Sequence, residues 1–312
     1  MLLDATLADF EATLARIRPY THATPVHASR TLNARADAEV FLKCELFQRM
    51  GAFKMRGAAN AIALLYDAER ARGVVAHSSG NHAQAVALAA RDFGIRAHIV
   101  MPDNTPMVKR AATAEYGAEV TLCEPTMQAR EAACARIIEA TGAAMIHPYD
   151  DDRVAMGQGT CAIELMRQVA ELDTILVPIS GGGLISGVAL AAHAINPHVH
   201  IIGCEPALAD DASQSFAAGQ IVVQPAGPTM ADGLRAQVCE RTFAVIQRHV
   251  HSIITLSETE IHDAMIYLWQ RAKLLAEPSA ATALAPLLFH RAKVPGSRIG
   301  VILSGGNVEA RL

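Results

Sequence analysis

The sequence predicts an α/β protein built on mainly parallel sheets covered by helices, and three observations carry that expectation. Short β-branched runs alternate with alanine-rich helical stretches: Val74-Val75-Ala76 then Ala83 to Ala90, Ala97-His98-Ile99-Val100 then Met107 to Tyr116, Val120-Thr121-Leu122 then Ala129 to Ala140. A second series of strands follows, Ile175 to Ile179, Val199 to Cys204, Ile253 to Leu256 and Ile299 to Leu303, again separated by helical stretches. Ser180-Gly181-Gly182-Gly183-Leu184 then joins a strand to a helix, the place where such folds bind ligands.

From the N-terminus, Leu3, Leu7, Phe10, Leu14 and Ile17 recur at spacings of four and three, with Thr6 and Asp9 as a capping pair and Pro19 as the stop. This is a packing or dimer helix. Val40, Leu42 and Cys44 alternate with Phe41 and Lys43 as a short strand. Gly51 ends that pattern, and a helix carrying Lys54 runs on toward Glu69. Tyr149-Asp150-Asp151-Asp152 is the crossing point between the two series. No repeat or low-complexity linker marks a domain boundary.

At 312 residues, 51% hydrophobic and 19% charged, the chain can bury one large core or two smaller ones. Net charge is −4 and no basic run occurs, which disfavours nucleic acid or an anionic membrane surface as a partner. Cys44, Cys123, Cys134, Cys161, Cys204 and Cys239 show no CxxC pair and no zinc spacing, so they read as free thiols of a reducing compartment. With no secretory pattern and no apolar stretch long enough to span a bilayer, a cytoplasmic location is the expectation.

The reactive residue is read as Lys54, within Gly51-Ala52-Phe53-Lys54-Met55-Arg56-Gly57. A primary amine attacks an aldehyde when a less polar pocket or neighbouring positive charge lowers its pKa, and Gly51 and Gly57 permit close approach of other groups. Three further glycine stretches follow in order: Ser78-Ser79-Gly80-Asn81-His82, Ser180-Gly181-Gly182-Gly183-Leu184 and Ser304-Gly305-Gly306-Asn307. Together these four motifs, from about Thr24-Pro25-Val26 to Asn307, resemble the fold-type II pyridoxal-phosphate enzymes, which include serine and threonine dehydratases, serine racemase and hydroxyaspartate dehydratases.

The resemblance implies a tryptophan synthase β-like fold of two domains. Residues 1–73 and 150–312 would form a large cofactor-anchoring domain, and residues 74–149 a small domain binding the substrate carboxylate. It implies that Lys54 holds pyridoxal 5'-phosphate as a Schiff base, that Phe53 packs on its ring, and that Ser180, Gly181, Gly182, Gly183 and Leu184 cradle its phosphate. The Ser180 hydroxyl could donate one more hydrogen bond there. Ser304 would face the pyridine nitrogen, Glu277 the pyridine edge, and Asn307 would shape the adjoining loop. Tyr149 stands where some relatives have Asn.

Ser78, Ser79, Gly80, Asn81 and His82 match the site for the substrate α-carboxylate, with the His82 backbone expected to serve more than its ring. Ser79 matches the serine that acts as an acid/base on the face opposite Lys54 in serine racemases, where threonine dehydratases usually have Ala. Arg130 and Arg235 are candidates for a distal substrate carboxylate. Glu205, Ala209 and Asp211, in Glu-Pro-Ala-Leu-Ala-Asp-Asp, match a divalent-cation site for Mg2+, Mn2+ or Ca2+.

The expected activity is elimination of water from a small 3-hydroxy amino acid (hydroxyaspartate, serine or threonine), giving a 2-oxo acid and ammonia in a homodimer. A racemase using Lys54 and Ser79 as opposed bases is the alternative, and a catalytically silent binding or regulatory homologue is a third reading.

Overall fold

A computed structural model describes residues 2–308. The strands are β1 (Val26–Ala28), β2 (Glu39–Cys44), β3 (Val74–His77), β4 (Ala97–Pro102), β5 (Glu119–Cys123), β6 (Ala144–Met145), β7 (Thr174–Pro178), β8 (His200–Pro206), β9 (Ser252–Leu256) and β10 (Arg298–Leu303). They form a six-stranded sheet of order β1-β2-β10-β7-β8-β9, parallel except for β1, and a parallel four-stranded sheet of order β5-β4-β3-β6. The α/β class and the mostly parallel sheets are as the sequence predicts. β1 and β6 escape sequence reading because three and two residues are too few to show a period.

In the large sheet successive residues enter two different cores. Leu176, Ile202 and Val301 pack on one face, while Ile175, Val177, Ile201 and Ile302 pack on the other. Both faces are covered, which is why β7 reads as an unbroken apolar run.

The helices that matter for the site are α1 (Leu7–Ile17), α2 (Arg30–Ala36), α3 (Lys54–Ala63), α4 (Asp67–Arg72), α5 (Asn81–Asp92), α6 (Met107–Glu115), α7 (Met127–Thr141), α8 (Asp152–Gln168), α9 (Gly183–Ile195), α10 (Asp211–Ala218) and α11 (Glu240–His249). The Thr6 amide donates to Asp9 Oδ2 at 2.9 Å and the Asp9 amide to Thr6 Oγ1 at 3.3 Å, closing the capping box of α1. Phe10 and Ile17 are buried and α1 lies on α8, so this helix packs within its own chain.

The helix expected from Lys54 to Glu69 is in fact two. α3 stops at Ala63, Leu65 turns into the core, and α4 restarts at Asp67 with the Glu69 carboxylate accepting the Tyr66 amide at 2.8 Å. Asp67 and Glu69 suit the first turn of a new helix, where the dipole favours anions.

The segments following β2, β7 and β10 in one sheet and β3 in the other open onto one cleft of ≈ 290 Å³. Parallel sheets gather ligands at the carboxyl ends of their strands, and that gathering brings the four glycine motifs together here.

Candidate active site

After β2, two 3-10 turns, Glu45–Phe47 and Arg49–Gly51, deliver the chain to α3. Gly51 has φ +80°, and a Cβ there would sit 2.5 Å from Asn307 Oδ1. A Cβ on Gly57 would meet Gln158 Nε2 at 2.3 Å and the Val154 carbonyl at 2.7 Å, so this glycine lets α3 lie directly on α8. Lys54 in the first turn of α3 donates from Nζ to the Pro148 carbonyl at 2.9 Å, and Nζ lies 5.1 Å from the Phe53 ring centroid. Among the described residues no carboxylate pairs with it. Burial lowers its pKa from 10.5 to about 8.

α5 and α9 both begin on a glycine, Gly80 and Gly182, and neither has a side chain capping its first amides. Two sets of helix N-terminal donors therefore face the cleft, and such ends bind anions. The Gly182 backbone has φ +87°, and a Cβ on Gly181 or Gly183 would lie 2.4 or 2.9 Å from Tyr149 atoms. The glycine loop is thus pressed flat under the Tyr149 side chain, whose phenol burial pushes up to about 12. Thr242 donates from Oγ1 to the Gly181 carbonyl at 2.9 Å.

The Ser180 hydroxyl accepts the Ala236 amide at 3.1 Å, which braces the loop from behind while Ser180 still lines the cleft. Leu184, the second residue of α9, is buried in the core.

In the other turn, Ser78 Oγ accepts the Gly80 amide at 3.2 Å, while Ser79 lines the cleft. The His82 ring is buried, with Nε2 2.8 Å from the Ile146 carbonyl, and burial first, then the nearby Lys54 charge, keeps its pKa well below 6.5. A neutral imidazole donating to Ile146 tethers α5 and leaves the backbone to face the cleft.

A carboxylate joins this turn to the opposite wall. Glu277 Oε1 accepts Asn81 Nδ2 at 2.9 Å, Oε2 accepts the Asn307 amide at 3.1 Å, and Asn307 Nδ2 donates to the Met50 carbonyl and to Asn81 Oδ1, both at 2.8 Å. Burial pushes Glu277 up to about 7. Ser304 sits buried just past β10, and its carbonyl accepts the Phe53 amide at 2.9 Å.

Arg130 and Arg235 both line the outer cleft but differ in engagement. Arg235 is exposed and donates from Nη2 to the Thr229 carbonyl at 2.6 Å, whereas Arg130 Nε is buried with no partner among the described residues. Sequence reading missed Lys109, Asp232, His77 and Ser279, which also line the cleft. Lys109 did carry a signal, because a cation in the first turn of a helix opposes the dipole and calls for an anion.

Glu205, at the end of β8, and Asp211, opening α10, stand together outside this cleft. Glu205 accepts the amides of Ala212 at 3.2 Å and Ser213 at 2.9 Å, and Asp211 Oδ2 accepts that of Val238 at 3.0 Å. No basic side chain pairs with either among the described residues. Burial accordingly pushes Glu205 up to about 9 and Asp211 up to about 6. No three His, Cys, Asp or Glu side chains cluster as ligands among the described residues, so a cation here would also need the Ala209 carbonyl and water.

The main cleft has the parts that pyridoxal phosphate requires: an amine of lowered pKa, an uncapped helix end behind a flat glycine loop, an aromatic ring beside the amine, and a hydroxyl at Ser304. The family model described as pyridoxal-phosphate dependent enzyme matches residues 17–305. A serine racemase of Oryza sativa subsp. japonica is 48% identical over 300 residues, covering 95% of this chain and 88% of the relative. A beta-hydroxyaspartate dehydratase of Paracoccus denitrificans (strain Pd 1222) is 44% identical over 304 residues, covering 97% and 96%. The solved structure of maize serine racemase superposes with a TM-score of 0.95 at 46% identity, covering 98% of this chain and 94% of that one. The order of motifs, the cleft they build and these likenesses agree, and the chain belongs to the pyridoxal-phosphate dependent enzyme family.

Proposed function

We propose that this enzyme is a 3-hydroxy amino acid ammonia-lyase, eliminating water from hydroxyaspartate, serine or threonine to leave a 2-oxo acid and ammonia. The observation that carries the reading is the convergence of Lys54, the Ser79 turn and the glycine loop on one cleft that also holds Arg130. Pyridoxal phosphate, when bound, supplies an electron-accepting ring that stabilises negative charge at Cα. The amides of α9 would hold its phosphate, those of α5 the substrate α-carboxylate, and Phe53 would pack on the ring. Lys54 then takes the Cα proton from one face. Ser304, a hydroxyl and not a carboxylate, would meet the ring nitrogen and leave it weakly protonated, which would favour elimination over transamination.

Racemisation is the second reading, favoured by Ser79, whose hydroxyl lines the cleft with no protein partner among the described residues and is free to act opposite Lys54. Assaying serine, threonine and hydroxyaspartate isomers for both 2-oxo acid and inverted amino acid separates the two. Absence of both products from every isomer would sink both readings.

The same proposal divides the chain into residues 1–73 with 150–312 and residues 74–149, and adds a divalent ion, Mg2+, Mn2+ or Ca2+, on Glu205, Ala209 and Asp211. Two buried carboxylates without a cation support that ion. Six free cysteines suit a cytoplasmic enzyme, and the exposed Phe47 and Leu275 suit a homodimer, which sedimentation of a monomer at assay concentration would refute.

A further inference from the structure

We propose that Lys109 is a specificity-determining residue that changes partner, from Asp232 to the distal carboxylate of a 3-hydroxy amino dicarboxylate, when such a substrate enters the cleft. The inference rests on the ammonia-lyase reading and names the substrate class within it.

Lys109 Nζ lies 2.7 Å from Asp232 Oδ2, and both side chains line the cleft that holds Lys54 and Ser79. They come from opposite walls. Lys109 is on α6, which follows β4 of the four-stranded sheet, and Asp232 is on the 3-10 turn Asp232–Leu234, beside Ser279. α6 and the substrate-carboxylate turn before α5 follow neighbouring parallel strands, so a substrate held at α5 has its side chain within the same outer compartment as Lys109.

Lys109 is placed against the local field. As the third residue of α6 it stands at the positive end of the helix dipole, with Arg110 next to it, and its compensating anion comes from 123 residues away. Asp232 is 55% exposed and Lys109 29%, so water and salt screen their attraction and the pair contributes little net stability. Breaking it is therefore cheap.

Arg130 lines the same compartment with its Nε unpartnered among the described residues. A second carboxylate arriving there meets Lys109 and Arg130 beside the Asp232 anion, with the third cation, Arg235, already held by the Thr229 carbonyl. It satisfies both cations once Asp232 turns to solvent, whereas serine or threonine brings no charge and leaves the Lys109–Asp232 pair closed. The exchange lets one cleft select by the charge of the substrate side chain.

The test uses holoenzyme of the parent, Lys109→Met, Lys109→Arg and Asp232→Asn, read two ways. The first is the ratio of kcat/KM for hydroxyaspartate to that for serine. The second is the thermal shift produced by succinate, a non-reacting dicarboxylate, against butyrate, which has one carboxylate. Lys109→Met should lower the ratio by about 30-fold or more and remove the extra protection by succinate. Lys109→Arg should restore most of both, and Asp232→Asn should raise succinate protection by freeing the cation. Lys109→Met activity falling in proportion on both substrates, with succinate protection as in the parent, would overturn the proposal while leaving the ammonia-lyase reading intact. A parent enzyme active on serine but inert toward hydroxyaspartate would also overturn the proposal, whereas one forming no 2-oxo acid from hydroxyaspartate, serine or threonine would overturn the ammonia-lyase reading, and the succinate arm alone would then decide for or against Lys109.

Discussion

An amine enclosed beside a carbonyl and an aromatic ring, with no carboxylate among the described residues to hold its proton, is the basis for proposing Lys54 as the reactive residue. The sign is plain: burial favours the neutral form of a base, so its pKa falls from 10.5 to about 8. The rate at which cofactor-free protein takes up pyridoxal phosphate should rise with pH and level off above about 8; a rise continuing past pH 10 would mean an ordinary solvated lysine. Ser79 allows a second test. Ser79→Ala should abolish inversion of serine while sparing elimination from isomers whose Cα proton faces Lys54, and parental racemisation by that variant would refute two opposed bases. Both residues line the cleft, and sequence reading could single them out because each stands in a short motif of contiguous neighbours. The contact that braces Ser180 was hidden for a complementary reason, since the Ala236 amide that engages its hydroxyl is 56 residues away.

At the scale of elements, the position of α3 depends on a buried ionic network that no local pattern reveals. Arg56, two residues after Lys54, is fully buried and grips two carboxylates with its fork. Nε and Nη2 reach Glu45 at 2.7 and 2.8 Å, and Nη1 and Nη2 reach Glu164 on α8 at 2.8 Å each. Lys43 on β2 adds Nζ to Glu164 at 2.7 Å and to the Thr24 carbonyl at 2.7 Å. Two cations and two anions balance inside the core, and removing one leaves its partners buried and uncompensated. Arg56→Ala should cost about 3–5 kcal/mol in urea unfolding. Arg56→Lys, which keeps the charge and loses the fork, should also weaken cofactor retention by shifting the start of α3. Unchanged unfolding midpoints in Arg56→Ala would show that the network does not hold this helix. The break between α3 and α4 was likewise hidden, because Leu65 keeps an apolar pattern while turning inward.

For the whole molecule, β10 closes the large sheet between β2 and β7 and sets Ser304 opposite Lys54's loop, as the Phe53 amide bonded to the Ser304 carbonyl shows. The alternation of strands and helices was readable along the chain, but that insertion and the Lys109–Asp232 contact were not, since both join segments far apart in sequence. Glu205 and Asp211 lie outside the cleft, so a cation there should organise the fold and take no part in the chemistry. Chelation should lower melting temperature and activity together, and Mg2+ or Mn2+ should restore both; no response, with metal analysis finding none bound, would remove the site. Everything proposed for the cleft turns on which amine holds the cofactor, and two lysines line it, Lys54 and Lys109. Borohydride reduction of the holoenzyme fixes the cofactor to the lysine that carries it, and peptide mass mapping then identifies the residue. The expected result is a single modified peptide with the cofactor on Lys54, absent from Lys54→Ala; cofactor found on Lys109 or on any other lysine would contradict it.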